Sequence, residues 1–450
     1  MTDDPARAQL GIWMTSALVV GSIIGSGIFM LPVSLAPLGI NAVAGWVVSG
    51  VGALAISFAL ARVSRDGAGI QAYIEQAFGP TIGYLVTFSF WCSDWAANAA
   101  LAIATASAIA WLDPTLQTIA FIVPVAIANV VIVALVNSRG ARTAGGLSVI
   151  TVLIKILPLL AVIAAATRRG AAAQTPRHLS GMPLGFGGLG SAVALTLFAL
   201  TGFENATAPV DKVRDPGRTI PLALLGGTLF VVVLYLASSS GVMLILSEQE
   251  IIGSASPFAD AIAKLWGNAA AFLAIGAIAV AAFGALNGMM LATGELGYSM
   301  ALRGDLPRVF RRTRGASTPV AAQWLSAVLT SLLILANTTR TTAGLFTFVI
   351  LLSTASVLVL YSVASLAAWK GARLSQRAIV AVALAFSLFA LWGVGAEADA
   401  WGLVLLAMGL ALRAGMRRLH SAGNANTGAI EHLPQVYAKA PSSATGRLGE

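Results

Sequence analysis

The sequence predicts an all-α integral membrane protein of 12 transmembrane helices, and three observations carry that prediction. Of 450 residues, 58% are apolar and only 10% are charged, against about 25% charged in ordinary soluble domains. So few charges cannot cover the surface of a water-soluble fold. A spanning helix needs about 20 mainly apolar residues, and the chain supplies such runs from end to end. The net charge is +9, which in a soluble chain would suggest nucleic acid. Here the cations alternate between connections, which is the positive-inside pattern of a membrane protein, and no nucleic-acid partner is expected.

The spans fall at 11–37, 41–63, 81–112, 116–137, 145–167, 190–213, 220–246, 269–300, 319–337, 344–369, 377–395 and 400–416. Residues 1–10 form a short polar segment with Asp3 and Asp4, without a separate cleavable signal. Residues 417–450 are polar and rich in small residues, and are expected to be a disordered cytoplasmic tail. Both termini are placed inside. The inner connections then carry Arg62 and Arg65, Arg139 and Arg142, Lys212, Arg214 and Arg218, a cluster from Arg303 to Arg314, and Lys370, Arg373 and Arg377. Only Arg168, Arg169, Arg177, Lys264 and Arg340 fall outside. The lone Cys92 lies within span three, which excludes a disulfide framework.

Span one is the first irregular element. It reads Gly21-Ser-Ile-Ile-Gly25-Ser26-Gly27-Ile28-Phe29, followed by Pro32. Glycines and serine so densely placed are poor helix material, and irregular backbone at that depth survives only when buried in protein or lining a cavity. A break at Gly25 to Gly27 would aim the amides of a second half-helix at one spot, a carboxylate site. Close packing through small residues is the alternative. Span six repeats the pattern: Leu197-Phe198-Ala-Leu-Thr201-Gly202-Phe203-Glu204-Asn205, then Pro209. Interruptions at matching places five helices apart are the mark of an inverted repeat with its site at the midplane. Carbonyls freed at each break would accept an ammonium. Carboxylate on amides and ammonium on carbonyls is how an amino acid backbone is recognised.

Two further spans carry charge. Asp94 and Asn98 are four residues apart in span three and share one face of a helix. A carboxylate at this depth costs roughly 2.5–3.5 kcal/mol on insertion scales. It pairs with a cation of the substrate, pairs structurally with Lys155, or stands protonated. Lys155 lies midway along span five, too central to snorkel to the interface with ease; a lysine so placed can serve in proton coupling. Glu295 falls near the inner end of span eight, where water is close, and Asp211, Lys212, Arg214 and Asp215 read as an inner-loop cluster.

At these residues the chain resembles the amino acid/polyamine/organocation permease superfamily, and within it the basic amino acid/polyamine antiporters such as the arginine/agmatine type. The likeness runs from about Gly11 to Arg418. Its most specific pieces are Gly25-Ser-Gly-Ile-Phe-Met-Leu-Pro32, Ala77-Phe-Gly-Pro80, Gly202-Phe-Glu-Asn205, Asp215-Pro-Gly-Arg-Thr-Ile-Pro221, Ser256-Pro-Phe-Ala-Asp260 and Gly304-Asp-Leu-Pro307. The resemblance implies a LeuT-type 5+5 inverted repeat with broken helices 1 and 6: a first half at 11–167, a second at 190–369, and two trailing helices at 377–416. It implies alternating access, proton coupling and often a homodimer, in a bacterial-type inner membrane.

Carried over residue by residue, the resemblance has Ser26 and Gly27 bind the substrate carboxylate, and the carbonyls of Ile23, Phe198 and Thr201 take the ammonium. Phe198 matches an aromatic gate that is tryptophan in the arginine antiporters. Glu204 matches a carboxylate of gating and proton sensing, and Asn98 an amide at the side-chain end of the substrate. Lys155 departs from the arginine antiporters and resembles the broad-specificity permeases, where the ammonium stands in place of a sodium ion. Met289 replaces a tryptophan that stacks on guanidinium, a loss of about 2 kcal/mol of cation–π attraction in a dry site.

The expected function is therefore secondary exchange of a cationic amino acid or amine, with neutral amino acids as the alternative. No cofactor and no metal site is expected: His178, His420 and His432 lie in loops or the tail. The chain shows no phosphate-binding glycine loop, no Ser-His-Asp set and no repeated pore filter, which disfavours a membrane enzyme or a channel.

Overall fold

The computed structural model describes residues 11–25, 27–63, 69–139, 142–172, 182–204, 213, 215–313 and 318–427. The expected first span is two helices, α1 (Ile12–Ile23) and α2 (Gly27–Leu35), bent by 46° at the break between them. There follow α3 (Ile40–Val63), α4 (Gly69–Phe78), α5 (Pro80–Ala110), α6 (Ile119–Asn137), α7 (Arg142–Ala172) and α8 (Phe186–Leu200). The chain continues through α9 (Pro216–Ile245), α10 (Glu248–Ile252), α11 (Pro257–Leu302), α12 (Val320–Leu335), α13 (Thr342–Lys370), α14 (Leu374–Val394) and α15 (Ala396–Thr427).

By length and apolar composition seven of the described helices can cross a membrane: α3, α6, α9, α11, α13, α14 and α15; the bent α1–α2 pair makes eight. The shorter α8 and α12 are apolar as well. Helix α5 coincides with expected span three but carries Asp94, Asn98 and several hydroxyls, and is buried along most of its length. Protein rather than lipid surrounds it. Two elements were not expected. Helix α4 is short and carries Gln71, Glu75 and Gln76, and α11 has non-helical backbone at Gly267 (φ 81), so a separate turn of helix precedes the expected span. The tail also departs from expectation, since α15 runs helical to Thr427 instead of ending near 416.

Small residues and hydroxyls join the spans, as lipid offers no hydrophobic drive between helices. Helix α3 meets α8 through Gly45 on Ala192, and Ser49 shares a 2.7 Å hydrogen bond with Thr196. Ser57 and Thr228 join α3 to α9 at 3.3 Å. On α5, Ser93 meets Ser353 of α13 at 3.0 Å and Ser89 donates to the Ser356 carbonyl at 2.7 Å. Gly190 of α8 and Gly393 of α14 bring their backbones together so closely that a Cβ on Gly393 would lie 2.0 Å from the Gly190 oxygen. Asn41, fully buried, grips the segment leading into α8: its amide donates to the Met182 and Pro183 carbonyls and accepts from Gly185 N–H at 3.0 Å.

Charged contacts lie at the helix ends. Arg62 donates to the Gly371 carbonyl at 2.6 Å and to Gln376, and Lys370 donates to the Ala77 carbonyl at 2.8 Å. Asp305 lies 3.4 Å from Arg413 and 3.6 Å from Arg303. Elsewhere Lys264 pairs with Glu250 and Arg340 with Glu397. Glu250 also closes a capping box with Ser247 at the start of α10.

Candidate functional site

Helix α1 stops because Gly25-Ser-Gly cannot hold a helical ladder: Ile24 turns away (φ −70, ψ 86) and Gly25 N–H folds back onto the Ile23 carbonyl at 2.7 Å. Helix α8 stops at Leu200. Thr201 is extended (ψ 159), and its N–H and hydroxyl both return to the Phe198 carbonyl, at 3.2 and 2.7 Å. Gly202 follows at φ +112, a conformation open to glycine and costly for L-residues.

The two interruptions meet. A Cβ on Gly202 would lie 2.4 Å from the Ser22 carbonyl oxygen, so the α8 break is in backbone contact with the end of α1. The Phe198 ring lies on Gly27, where a Cβ would come within 2.7 Å of it, and so covers the opening of α2. Of the residues expected to bind carboxylate, Gly27 is thus at the junction, while Ser26 lies outside the described residues.

Beside the junction is a cavity of about 400 Å³. Its walls come from both sides of the α1–α2 break (Gly21 to Ile28), from Ala97 and Leu101 of α5, and from Phe198 to Thr201. Asn137 of α6, Lys155 of α7, Tyr235 of α9 and the α11 stretch from Phe283 to Met289 complete them. Ile23, Gly27, Lys155, Phe198, Thr201 and Met289 therefore line one cavity. Lys155 is 5% exposed and donates to the Gly21 carbonyl at 3.4 Å. Among the described residues it forms no ion pair with Asp94 or any other acid.

Asp94, Asn98 and Glu204 stand outside that lining. Asp94 is 2% exposed, and no hydrogen bond or ion pair holds its carboxylate among the described residues. Asn98, fully buried, donates to the Thr293 hydroxyl of α11 at 3.0 Å, and its own amide oxygen lacks a partner. Glu204 accepts from the Gly202 N–H at 3.0 and 3.1 Å and from the Tyr361 hydroxyl of α13 at 2.8 Å; Tyr361 stacks on Phe203 with centroids 5.5 Å apart. This carboxylate fixes the turn that ends α8.

Sequence reasoning missed Tyr235, Tyr361, Asn137 and Asn287. The Tyr235 hydroxyl donates to the Ile23 carbonyl at 3.2 Å, so two of the three carbonyls expected to hold an ammonium, those of Ile23 and Phe198, already have two protein donors each. Asn137 donates to the Asn287 carbonyl at 3.2 Å, and the Asn287 amide oxygen is buried without a partner among the described residues. A tyrosine deep in a span needs a partner for its hydroxyl. That was the available signal for both tyrosines.

A family model described as amino acid permease matches residues 10–412. The chain is 27% identical over 426 residues to the putrescine transporter PotE of Escherichia coli (strain K12), covering 90% of this chain and 95% of that protein. The PotE protein of Haemophilus influenzae is likewise 27% identical, over 421 residues, covering 90% and 96%. The cadaverine/lysine antiporter of Escherichia coli is 26% identical over 343 residues, covering 75% of this chain and 76% of that protein.

Proposed function

Because the chain belongs to the amino acid permease family, we propose that it exchanges amino acids across a bacterial inner membrane by alternating access, with a cationic amino acid or amine as the leading substrate. It is a multi-pass membrane transporter and not an enzyme. The observation that carries the mechanism is the contact of the two helix breaks, Gly202 against Ser22, beside a cavity that both of them line. A LeuT-type pairing of 11–167 with 190–369, trailed by 377–416, accounts for breaks in the first helix of each half. Relatives described as a putrescine transporter and a cadaverine/lysine antiporter support the cationic reading.

In this scheme the amides at Ser26 and Gly27 take the carboxylate once the Phe198 ring swings off Gly27. The ammonium displaces the Tyr235 hydroxyl from Ile23 and shares the carbonyls of Phe198 and Thr201. Asp94 and Asn98 meet the substrate side chain in a conformation that opens α5 to the cavity. Glu204 gates through its hold on Gly202, and protons are the coupling ion. A homodimer with both termini cytoplasmic completes the scheme.

A second reading, exchange of neutral amino acids, is favoured by one observation: Lys155 is the only charged side chain lining the cavity among the described residues, and Asp94 stays outside it. Counterflow in proteoliposomes separates the two. The cationic reading requires unlabelled arginine, lysine or ornithine to compete for uptake, and Asp94→Asn to lose those substrates while sparing neutral ones. Competition by neutral amino acids alone, or equal losses in the variant, hands the site to the second reading. Uptake that neither saturates nor accelerates with substrate on the far side rules out exchange altogether.

A further inference from the structure

Lys155 is buried, lines the cavity, and carries three N–H donors. Its one hydrogen-bond acceptor among the described residues is the Gly21 carbonyl, at the long distance of 3.4 Å. A buried ammonium so poorly matched is costly unless a counter-charge reaches it. Among the described residues the cavity wall supplies none: Asp94 and Glu204 stand outside the lining, and Glu204 is already engaged by Gly202 and Tyr361. A charged Lys155 is then best matched by a counter-charge that enters with what the cavity binds. On the opposite sign, the Asn287 amide oxygen is buried in the lining with no donor among the described residues. Beside the amide and carbonyl sites of the exchange reading, the wall thus adds one fixed cation and one neutral acceptor, which favours a molecule carrying a carboxylate as well as an ammonium.

We propose that a carboxylate on the substrate is obligatory for this chain, so that it carries amino acids and rejects the diamines made from them by decarboxylation. The inference rests on the exchange reading above and narrows its substrate class. A diamine brings two positive charges to a cavity whose only charged side chain among the described residues is already positive. An amino acid brings the missing negative charge. By this criterion the chain parts from those relatives whose names include putrescine or cadaverine alone or beside an amino acid.

The test uses substrate pairs that differ only in the carboxylate: ornithine against putrescine, lysine against cadaverine, and leucine against 3-methylbutylamine. The wild-type protein in proteoliposomes is scored for counterflow with each. At least one amino acid of the set should exchange, and its decarboxylated partner should exchange at least tenfold more slowly. Putrescine or cadaverine exchanging as fast as its parent amino acid overturns the proposal, as does diamine exchange that depends on chloride, because chloride would then be the counter-charge. Exchange of no amino acid and no amine overturns the transport reading itself, and the inference with it. In Lys155→Gln, the KM for amino acids should rise at least tenfold while the amine-to-amino-acid ratio rises. A variant that loses both substrate types in the same proportion would make Lys155 a purely structural tether of α1, and Lys155→Arg, which keeps the charge, should retain the preference.

Discussion

The two helix breaks are held in unequal ways. At the end of α8 the turn is over-determined: a glycine at φ +112 in backbone contact with α1, an amide bonded twice to the Glu204 carboxylate, and a tyrosine of α13 holding that carboxylate. At the end of α1 the side-chain bonds to the carbonyls are longer, 3.4 Å from Lys155 to Gly21 and 3.2 Å from Tyr235 to Ile23, and the Ile23 carbonyl keeps the Gly25 N–H at 2.7 Å besides. Backbone clamped by a buried carboxylate resists change. Carbonyls held loosely beside a cavity can exchange partners at small cost. The difference teaches that the two breaks are alike in sequence pattern and unlike in how they are held: one is clamped on several sides, the other, beyond its own backbone turn, only by long side-chain bonds beside the cavity.

Four changes would break or sharpen that contrast. Gly202→Ala should have the largest effect, since it adds backbone strain of about 1–3 kcal/mol to a Cβ placed 2.4 Å from the Ser22 oxygen. The expected outcome is counterflow below a tenth of wild type and a lower melting temperature in detergent; a variant that melts and transports normally would show the turn to be unclamped. Glu204→Ala leaves the Gly202 amide and the Tyr361 hydroxyl without their acceptor, at about 1–3 kcal/mol for each stranded group. Glu204→Gln keeps an acceptor, so it should melt within a few degrees of wild type while the alanine variant falls well below it. Equal melting of the two would mean the carboxylate does not clamp the turn.

At the α1 break Tyr235→Phe removes one donor from a carbonyl that keeps the Gly25 N–H. A typical hydrogen bond is worth about 0.5–1.5 kcal/mol, so stability should fall little and the substrate KM should move by less than tenfold. A loss as severe as that of Gly202→Ala would place the rigid element at α1 instead. The smallest effect lies away from both breaks. The hydrogen bond from Lys264 holds the Glu250 carboxyl at about 2, below its ordinary 4.5. A carboxyl depressed in this way contributes stability that is complete above 4.5 and fades as pH falls toward 2. The pair is exposed, so the contribution is screened to within about 1 kcal/mol. Melting curves of Lys264→Gln and wild type should differ slightly at pH 7, draw together below pH 4.5 and converge near pH 2; a gap that widens on acidification would reverse the assignment.

Much of this was legible in the sequence because lipid imposes long apolar runs and punishes irregular backbone. The breaks at Gly25-Ser-Gly and Thr201-Gly202 announced themselves by composition, and so did the charge on Lys155. The rest depends on rotation and distance. Asp94 and Asn98 share a helix face with each other, yet only the tertiary packing of α5 decides that Ala97 and Leu101 line the cavity in their place. The tyrosines that hold the two breaks come from α9 and α13, 212 and 157 residues from their partners, and no local pattern links them. Helix α4 escaped notice because ten residues with Gln71, Glu75 and Gln76 carry neither the length nor the apolarity of a span.

The meeting of Gly190 with Gly393 has a mechanical consequence. Two backbones touching without intervening side chains leave no room for closer approach, so any tilt of α8 toward α14 would have to push α14 with it. Trp392 packs over Gly190 and against Phe186 and Phe389, so it sits on that contact. In a chain whose other tryptophans were replaced, its fluorescence would report any displacement of α8 against α14.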